Sequence, residues 1–317
     1  MRTTTTMAPP VPVRRQRTGF SRRGLLAVLV VAVPALVIVA YFGISAYVAN
    51  QLSSPPRRAV TTDPGQFGLT YEDVSFNSTV DSIPLNGWFI DSPGTAAIVM
   101  VHGRAAARDD GPAVPVAAAL AADGYDVLLF DLRAQGTSGG DRYTMGQKEV
   151  RDVAGAVRYL KDVRGATAIG GYGTSMGAST LINAAPDLPE LTAMVADNGF
   201  ADLSLLLEKE LPKVSGLPAF FNPGIMLTAQ VLFDTDLASN RPVEHMASLD
   251  ERPIFLIHTE NDPTIPVAQS YMLRDAAADN TVMQHWVAPG EGHTMAYSNN
   301  KEEYVQRVLA FYDQHMK

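Results

Sequence analysis

Apolar runs of strand length recur along the chain from residue 96 onward, and each is followed by a turn or a helical pattern. A continuous apolar run, rather than a strict alternation, is typical of a strand buried on both faces of a parallel sheet. Two earlier stretches, 69–76 and 84–91, predict a pair of antiparallel strands at one edge. The continuous runs are 96–103, 125–133, 166–173, 191–200, 252–262 and 281–290.

Helical patterns lie between these runs. Residues 111–124 predict a helix that ends at a glycine, and residues 146–163 have the spacing of an amphipathic helix. Further helices are predicted after residue 175, over 266–280 and over 301–316. Repeated strand–helix units predict an α/β fold with a mainly parallel sheet and helices on both faces. This domain is expected to cover residues 68–317.

One segment interrupts the alternation. Residues 201–249 lie between two predicted strands and contain no strand pattern of their own. Insertions of this length in a compact domain are usually functional. We therefore expect residues 201–249 to form a small helical cap over the edge of the sheet where the parallel strands end.

The N-terminal part of the chain has a different pattern. From Leu25 to Ala49 the sequence holds no charged residue and shows no polar face. A helix that spans a bilayer needs roughly 20 apolar residues, so residues 24–49 predict a transmembrane helix or, alternatively, an export signal. Residues 1–23 predict a disordered basic tail, and residues 50–67 predict a polar linker.

The distribution of charge predicts how such a helix would be oriented. Residues 1–58 contain eight arginines and no acidic residue, and most of these arginines precede the apolar run. The positive-inside rule then places the N-terminus in the cytoplasm and the following domain outside. The segment "SRRGLL" also resembles a twin-arginine export signal, so export followed by cleavage is the alternative.

Composition excludes several classes of function. The chain has no cysteine, which rules out disulfides, thiolate metal sites and cysteine nucleophiles. Residues 59–317 carry all 33 acidic residues against 17 basic ones, since eight of the chain's 25 basic residues lie before them. Such a domain repels a phosphate backbone, so we expect no binding to nucleic acid.

A candidate nucleophile lies where the strand 166–173 meets the next helix. The sequence there is Gly173-Thr174-Ser175-Met176-Gly177, a G-x-S-x-G motif. Small flanking residues allow a sharp turn that exposes the serine hydroxyl, and the helix N-terminus behind it favours developing negative charge. The alternative is a structural glycine–serine turn, but the strand–turn–helix context favours a nucleophile.

A serine nucleophile needs a base, and the base needs a carboxylate. Of the six histidines, His293 is the strongest candidate because it lies in a glycine-containing loop after the last strand. Asp262 ends a strand at the same edge of the sheet, with Glu260 as a weaker rival. The order Ser175, Asp262, His293 is that of the α/β-hydrolase triad. The backbone N–H groups of Met176 and Arg104 are the expected oxyanion donors.

Five segments together resemble the α/β-hydrolase superfamily, and in particular its membrane-anchored serine hydrolases related to the Bem46 and prolyl-oligopeptidase-like groups. They are "VHGRAAARDD", "FDLRAQGTSGG", "YGTSMGAST", "HTENDPTIP" and "GEGHTMA", and the resemblance covers roughly residues 68–315. It implies an α/β-hydrolase fold with the cap over the pocket and no metal or organic cofactor. It also implies that Asp131 and Arg133 shape a loop rather than react.

These features predict a serine hydrolase that cleaves carboxylic esters through an acyl-enzyme. The apolar cap favours a small-molecule ester with an apolar acyl or alkyl group, and the membrane is the expected partner of the N-terminal helix. Two alternatives stay open at this point. One is a serine peptidase of the prolyl-oligopeptidase-like type, and the other is a catalytically silent anchored protein with a binding or regulatory role.

Overall fold

The structure is a computed structural model that describes residues 22–54, 56–249, 251–277 and 279–317. The predicted tail, residues 1–23, therefore lies outside the described residues except for Arg22 and Arg23. The chain divides into two units, and the boundary between them along the chain lies between Gly43 and Ile44.

The second unit contains an eight-stranded sheet. Its strand order is β1-β2-β4-β3-β5-β6-β7-β8. The pairs β1·β2 and β2·β4 are antiparallel, and all other neighbouring strands are parallel. The predicted mainly parallel sheet with an antiparallel edge is confirmed. The strands are β1 (Glu72–Asn77), β2 (Pro84–Ile90), β3 (Ala96–Val101), β4 (Asp126–Phe130), β5 (Ala168–Thr174), β6 (Leu191–Asp197), β7 (Ile254–Asn261) and β8 (Gln284–Glu291).

Helices cover both faces of this sheet. The α-helices among the described residues are α1 (Arg22–Ser53), α2 (Ala113–Ala122), α3 (Val150–Asp162), α4 (Met176–Ala184), α5 (Leu203–Ser215), α6 (Asn222–Phe233), α7 (Val243–Met246), α8 (Ala268–Ala276), α9 (Ala296–Asn299) and α10 (Lys301–Met316). Successive side chains of a strand point to opposite faces. Ile98 accordingly packs in a core with α2 and α10, while Val99 packs in a second core with α3, α4 and α8.

The segment predicted as a cap, residues 201–249, contains α5, α6 and α7 and no strand. Asp202 caps α5 because its carboxylate accepts a hydrogen bond from the N–H of Leu205 at 3.2 Å. Gly216 ends α5 in a left-handed conformation that glycine adopts without strain. Residues 203–215 and 219–233 are bent by 117° relative to each other, so the two helices fold back on one another.

Helix α1 is the one described helix that passes, by itself, a test of length and composition for crossing a membrane. It has 32 residues, and an 18-residue stretch of it has a mean hydropathy of 2.9. Its part up to Gly43 belongs to the first unit and its part from Ile44 to the second. The helix ends at Ser53, so the first residues of the predicted linker, 50–67, are helical. Hydrogen bonds from the second unit hold this last turn.

Candidate active site

Ser175 lies on a sharp turn between β5 and α4, as the G-x-S-x-G motif predicted. Its backbone has φ 53° and ψ −122°, a combination that non-glycine residues rarely adopt. Both flanking glycines are needed for close backbone contacts. A Cβ atom on Gly177 would lie 2.1 Å from the carbonyl oxygen of Val101, and one on Gly173 would lie 2.6 Å from the carbonyl oxygen of Gly177. The N–H of Ser175 donates to the carbonyl of Asp197 at 2.8 Å.

His293 is within hydrogen-bond distance of the Ser175 hydroxyl. The distance from His293 Nε2 to Ser175 Oγ is 2.8 Å, and that from His293 Nδ1 to Asp262 Oδ2 is 2.7 Å. Because the Asp262 carboxylate can only accept, Nδ1 carries a proton and Nε2 is free to accept one from serine. The structure therefore brings the three predicted residues together in one hydrogen-bonded chain.

Asp262 is fully buried as a side chain and is held by four donors. The backbone N–H groups of Thr264 and Ile265 donate to Oδ1 at 2.7 and 3.0 Å. Asn198 and His293 both donate to Oδ2. Burial by itself raises the pKa of Asp262, but the hydrogen bond and charge of His293 and the two N–H groups outweigh it, so this pKa is lowered. The rival Glu260 has an exposed side chain on β7, two residues before Asp262, and His293 bonds to Asp262 instead.

Asn198 is a residue of this site that sequence reasoning missed. Its Nδ2 lies 2.5 Å from Asp262 Oδ2, and its Oδ1 accepts from the N–H of Thr259 at 3.2 Å. Its backbone φ of 54° is one that asparagine tolerates better than most residues. The available signal was its place: Asn198 directly follows β6, at the same edge of the sheet as Ser175 and Asp262.

The loop after β3 lies against the nucleophile. A Cβ atom on Gly103 would be 3.2 Å from Ser175 Cβ, so the backbone before Arg104 runs beside the serine. His102 fixes this loop, because its Nδ1–H donates to the carbonyl of Gly103 at 2.8 Å and its Nε2 accepts from the N–H of Leu132 at 3.0 Å. Burial lowers the pKa of His102, which keeps the ring neutral. Met176, the other predicted oxyanion donor, is the first residue of α4.

The other histidines are placed elsewhere. His258 is buried, and its Nε2 donates to the carbonyl of Ile265 at 2.8 Å, which helps to fix the loop that contains Asp262. His285 contacts the hydroxyl of Ser270 at 2.6 Å. His245 lies on α7 in the cap, and His315 lies on the last helix. Among the described residues, no group of three or more histidines or acids is arranged to hold a metal ion.

The two residues to which the resemblance gave a loop-shaping role, Asp131 and Arg133, are buried and make polar contacts. Asp131 Oδ1 accepts from the N–H of Arg108 and its Oδ2 from the N–H of Thr137, both at 2.8 Å. Arg133 is buried and pairs with Asp152 and Asp81, each at 2.7 Å. A further buried carboxyl, Asp197, accepts from the Tyr304 hydroxyl at 2.7 Å through Oδ2.

An apolar pocket opens beside Ser175. It has about 960 Å³ of empty space, including its open mouth, and Ser175, Met176 and Arg104 lie in its wall. Most of its other lining side chains are aliphatic or aromatic, and many come from the cap: Leu206, Leu207, Leu211, Ile225, Ala229 and Phe233. An apolar pocket with a few polar groups at one end is the usual form of a small-molecule site.

Comparison with known proteins places this arrangement among hydrolases. A profile of the prolyl oligopeptidase family matches residues 115–317. The Pyrococcus furiosus esterase Pf2001 has a similar structure with a TM-score of 0.71 and 27% identity, and the match covers 83% of this chain and all of that one. The predicted α/β-hydrolase fold is confirmed by this likeness.

Two curated relatives match over part of the chain. Protein YqkD of Bacillus subtilis is 30% identical over 60% of this chain and 63% of its own length. The lysophosphatidylserine lipase ABHD12 of Danio rerio is 25% identical over 58% of this chain and 47% of its own length. The chain thus spans less than two thirds of each of these two relatives.

Proposed function

The chain belongs to the prolyl oligopeptidase family, and we propose that it is a serine esterase that cleaves small-molecule carboxylic esters through an acyl-enzyme. One observation carries this proposal: Ser175, His293 and Asp262 form an unbroken hydrogen-bonded chain at the end of an apolar pocket. A serine hydroxyl that donates to a correctly oriented imidazole is the activated nucleophile that acyl transfer requires.

The first half of the reaction acylates the serine. Ser175 Oγ attacks the ester carbonyl carbon while His293 Nε2 takes the hydroxyl proton. The tetrahedral intermediate then collapses, the carbon–oxygen bond to the alcohol breaks, and His293 returns the proton to the leaving alkoxide. Asp262 stabilises the imidazolium between these two transfers. In the second half a water molecule attacks the acyl-enzyme by the same route, which releases the acid and restores Ser175.

The oxyanion of each intermediate needs two donors. We assign them to the backbone N–H groups of Met176 and Arg104. Met176 begins α4, where an unpaired N–H group and the positive end of the helix dipole face the serine. Arg104 follows Gly103, whose backbone is packed against Ser175. Because backbone groups donate, this role does not depend on the side chains of Met176 and Arg104.

The apolar pocket and the structural likeness to an esterase favour the ester over the peptide bond. A pocket lined mainly by apolar side chains accepts an acyl or alkyl group, whereas a peptide backbone needs hydrogen-bond partners. The structural likeness to the esterase Pf2001 extends over all of that chain.

We further propose that α1 anchors the protein in a membrane as a single span, with the N-terminus in the cytoplasm and the domain that follows outside. Its composition and its preceding arginines support this. The cap also exposes large apolar side chains, with Phe220 63% and Val231 70% exposed, as suits a surface near lipid. Intact mass of the protein extracted from membranes distinguishes an anchor from a cleaved signal.

The proposal is tested with the full chain in detergent micelles. Wild type, Ser175→Ala and the control Ser248→Ala are treated with a fluorophosphonate probe and with p-nitrophenyl esters. Ser248 is exposed, its hydroxyl donates to the carbonyl of His245, and neither residue lines the pocket. We expect label and turnover in wild type and Ser248→Ala, and neither in Ser175→Ala. A folded wild type that neither reacts nor turns over an ester would favour a silent binding protein instead.

A further inference from the structure

The C-terminal end of α1 is fixed to the domain that holds the candidate site. The carbonyl of Ser53 accepts from the N–H of Tyr143 at 3.1 Å, and the carbonyl of Leu52 accepts from the Tyr143 hydroxyl at 2.5 Å. These two carbonyls belong to the last turn of the helix, where no intrahelical donor is available to them. Tyr143 therefore acts as the C-terminal cap of α1.

A single arginine strengthens this attachment. Arg142 donates to Ser53 Oγ at 2.7 Å and to Asn50 Oδ1 at 2.8 Å. Its guanidinium carbon also lies 3.9 Å from the centre of the Phe233 ring in the cap. One side chain thus joins the end of α1 to the cap helix α6.

The same turns of α1 form part of the pocket wall. Ala49 is only 3% exposed and packs in one apolar cluster with Leu211, Ile225 and Ala229 of the cap. Ala49, Leu52 and Ser53 line the pocket that also contains Ser175. Part of the pocket wall is therefore supplied by the segment that directly follows the membrane-length part of α1.

We propose that residues 45–53, here named the α1 wall, are part of the substrate site and set the length of the apolar chain that it accepts. This inference rests on the proposed esterase function. The chemistry of the wall favours an apolar acyl chain, because Ala49 and Leu52 are apolar and most cap side chains in the same lining are aliphatic or aromatic, with Glu210 as the charged exception. Arg104, the cationic residue among the described lining side chains, follows Gly103, whose backbone is packed against Ser175.

The α1 wall also bears on the fate of the N-terminal segment. Cleavage after the apolar run would remove Ala49, and cleavage beyond Leu52 would remove Leu52 as well, which would expose the cap cluster to water. The pocket would then lose one side. The α1 wall thus favours a retained helix over a removed export signal.

The test compares chain-length profiles of the full chain in detergent micelles. The substrates are p-nitrophenyl esters from acetate to laurate, and the variants are Ala49→Phe and the matched control Gln51→Phe, which places the same ring on the exposed side of the helix. In wild type, kcat/KM should rise by up to about fourfold per methylene while the chain is being buried. Ala49→Phe should lose about tenfold or more on the long esters and less than about twofold on acetate. Gln51→Phe should follow wild type.

A second variant covers the case in which Ala49→Phe does not fold. Leu52→Ala enlarges the pocket without changing the carbonyl that Tyr143 contacts, and it should move the optimum to a longer ester. An unchanged chain-length profile in folded Ala49→Phe overturns the proposed role of the α1 wall. If Ala49→Phe does not fold, an unchanged profile in Leu52→Ala overturns it. Failure of the esterase proposal looks different, because wild type itself would then hydrolyse no ester and bind no fluorophosphonate.

Discussion

Asn198 and His293 donate to the same oxygen, Oδ2 of Asp262. Asn198 follows β6 and His293 follows β8, so two loops on either side of strand β7 hold the buried carboxylate. The amide of Asn198 is in turn fixed by Thr259 of the intervening strand β7. Asn198 is therefore a positioning residue: it touches no reacting atom but determines where the carboxylate holds His293.

Replacement of Asn198 by glycine should lower kcat/KM by about 10- to 100-fold, or about 1.4–2.7 kcal/mol. Glycine accepts the positive φ of this position, so the change removes the amide without straining the backbone. Loss of a donor also makes the carboxylate more basic and strengthens its hold on the imidazolium. The acid limb of the pH profile of kcat/KM should consequently move to higher pH.

Thr259→Val is the control for this prediction, since it leaves the Asn198 amide in place. It removes the 3.3 Å hydroxyl contact to Asn198 Oδ1 and the hydrogen bond that this hydroxyl accepts from the N–H of Met295. Its profile should keep the wild-type midpoint. A uniform loss of activity in Asn198→Gly with no movement of the midpoint would show that Asn198 only supports the fold.

The choice between the two candidate carboxylates can be tested directly. Asp262→Asn should lower kcat by about 10³- to 10⁴-fold, because an amide can donate to Nδ1 and so stabilise the wrong tautomer of His293. Glu260→Gln makes the same chemical change two residues away on an exposed side chain and should change kcat by less than about twofold. Equal losses in the two variants would contradict the proposed role of Asp262.

The sequence predicted the strands and helices well because buried parallel strands are continuous apolar runs, as at 96–103 and 191–200. It also predicted that Ser175, Asp262 and His293 would meet, since each lies within two residues of the end of a strand at one edge of the sheet. Asn198 was missed although it lies at that edge, because an asparagine after a strand is equally typical of a turn. The contact of Ala49 with the cap depends on tertiary packing, and no local pattern in an apolar helix reveals it.

Arg133 should prove important for stability rather than for catalysis. Its side chain is 3% exposed and contacts Asp152 and Asp81. Arg133→Met should lower the free energy of unfolding by about 3–5 kcal/mol, because it leaves a buried carboxylate without its partner. The control is Arg158→Met, which breaks an exposed i,i+4 pair with Asp162 and should cost less than about 0.5 kcal/mol. Urea unfolding measures both, and a loss in Arg133→Met no larger than in the control would contradict this assignment.

Asp197 should make the protein less stable as pH rises from about 4 to about 7. Burial raises the pKa of Asp197 to about 7, although the Tyr304 hydrogen bond and the charge of His293 oppose the shift. Its Oδ1 has no hydrogen-bond partner among the described residues, so the charged form is poorly compensated.

The sign follows from proton binding. Between about pH 4 and 7 the folded state keeps the proton that the unfolded state has lost, so stability falls by up to about 1.4 kcal/mol per pH unit and then levels off. Asp197→Asn keeps a neutral side chain of the same shape and should remove this slope, whatever its effect on stability at a single pH. Urea unfolding followed by tryptophan fluorescence from pH 4 to pH 8 tests this. Parallel curves for wild type and Asp197→Asn across that range would show that Asp197 is ionised in the folded protein.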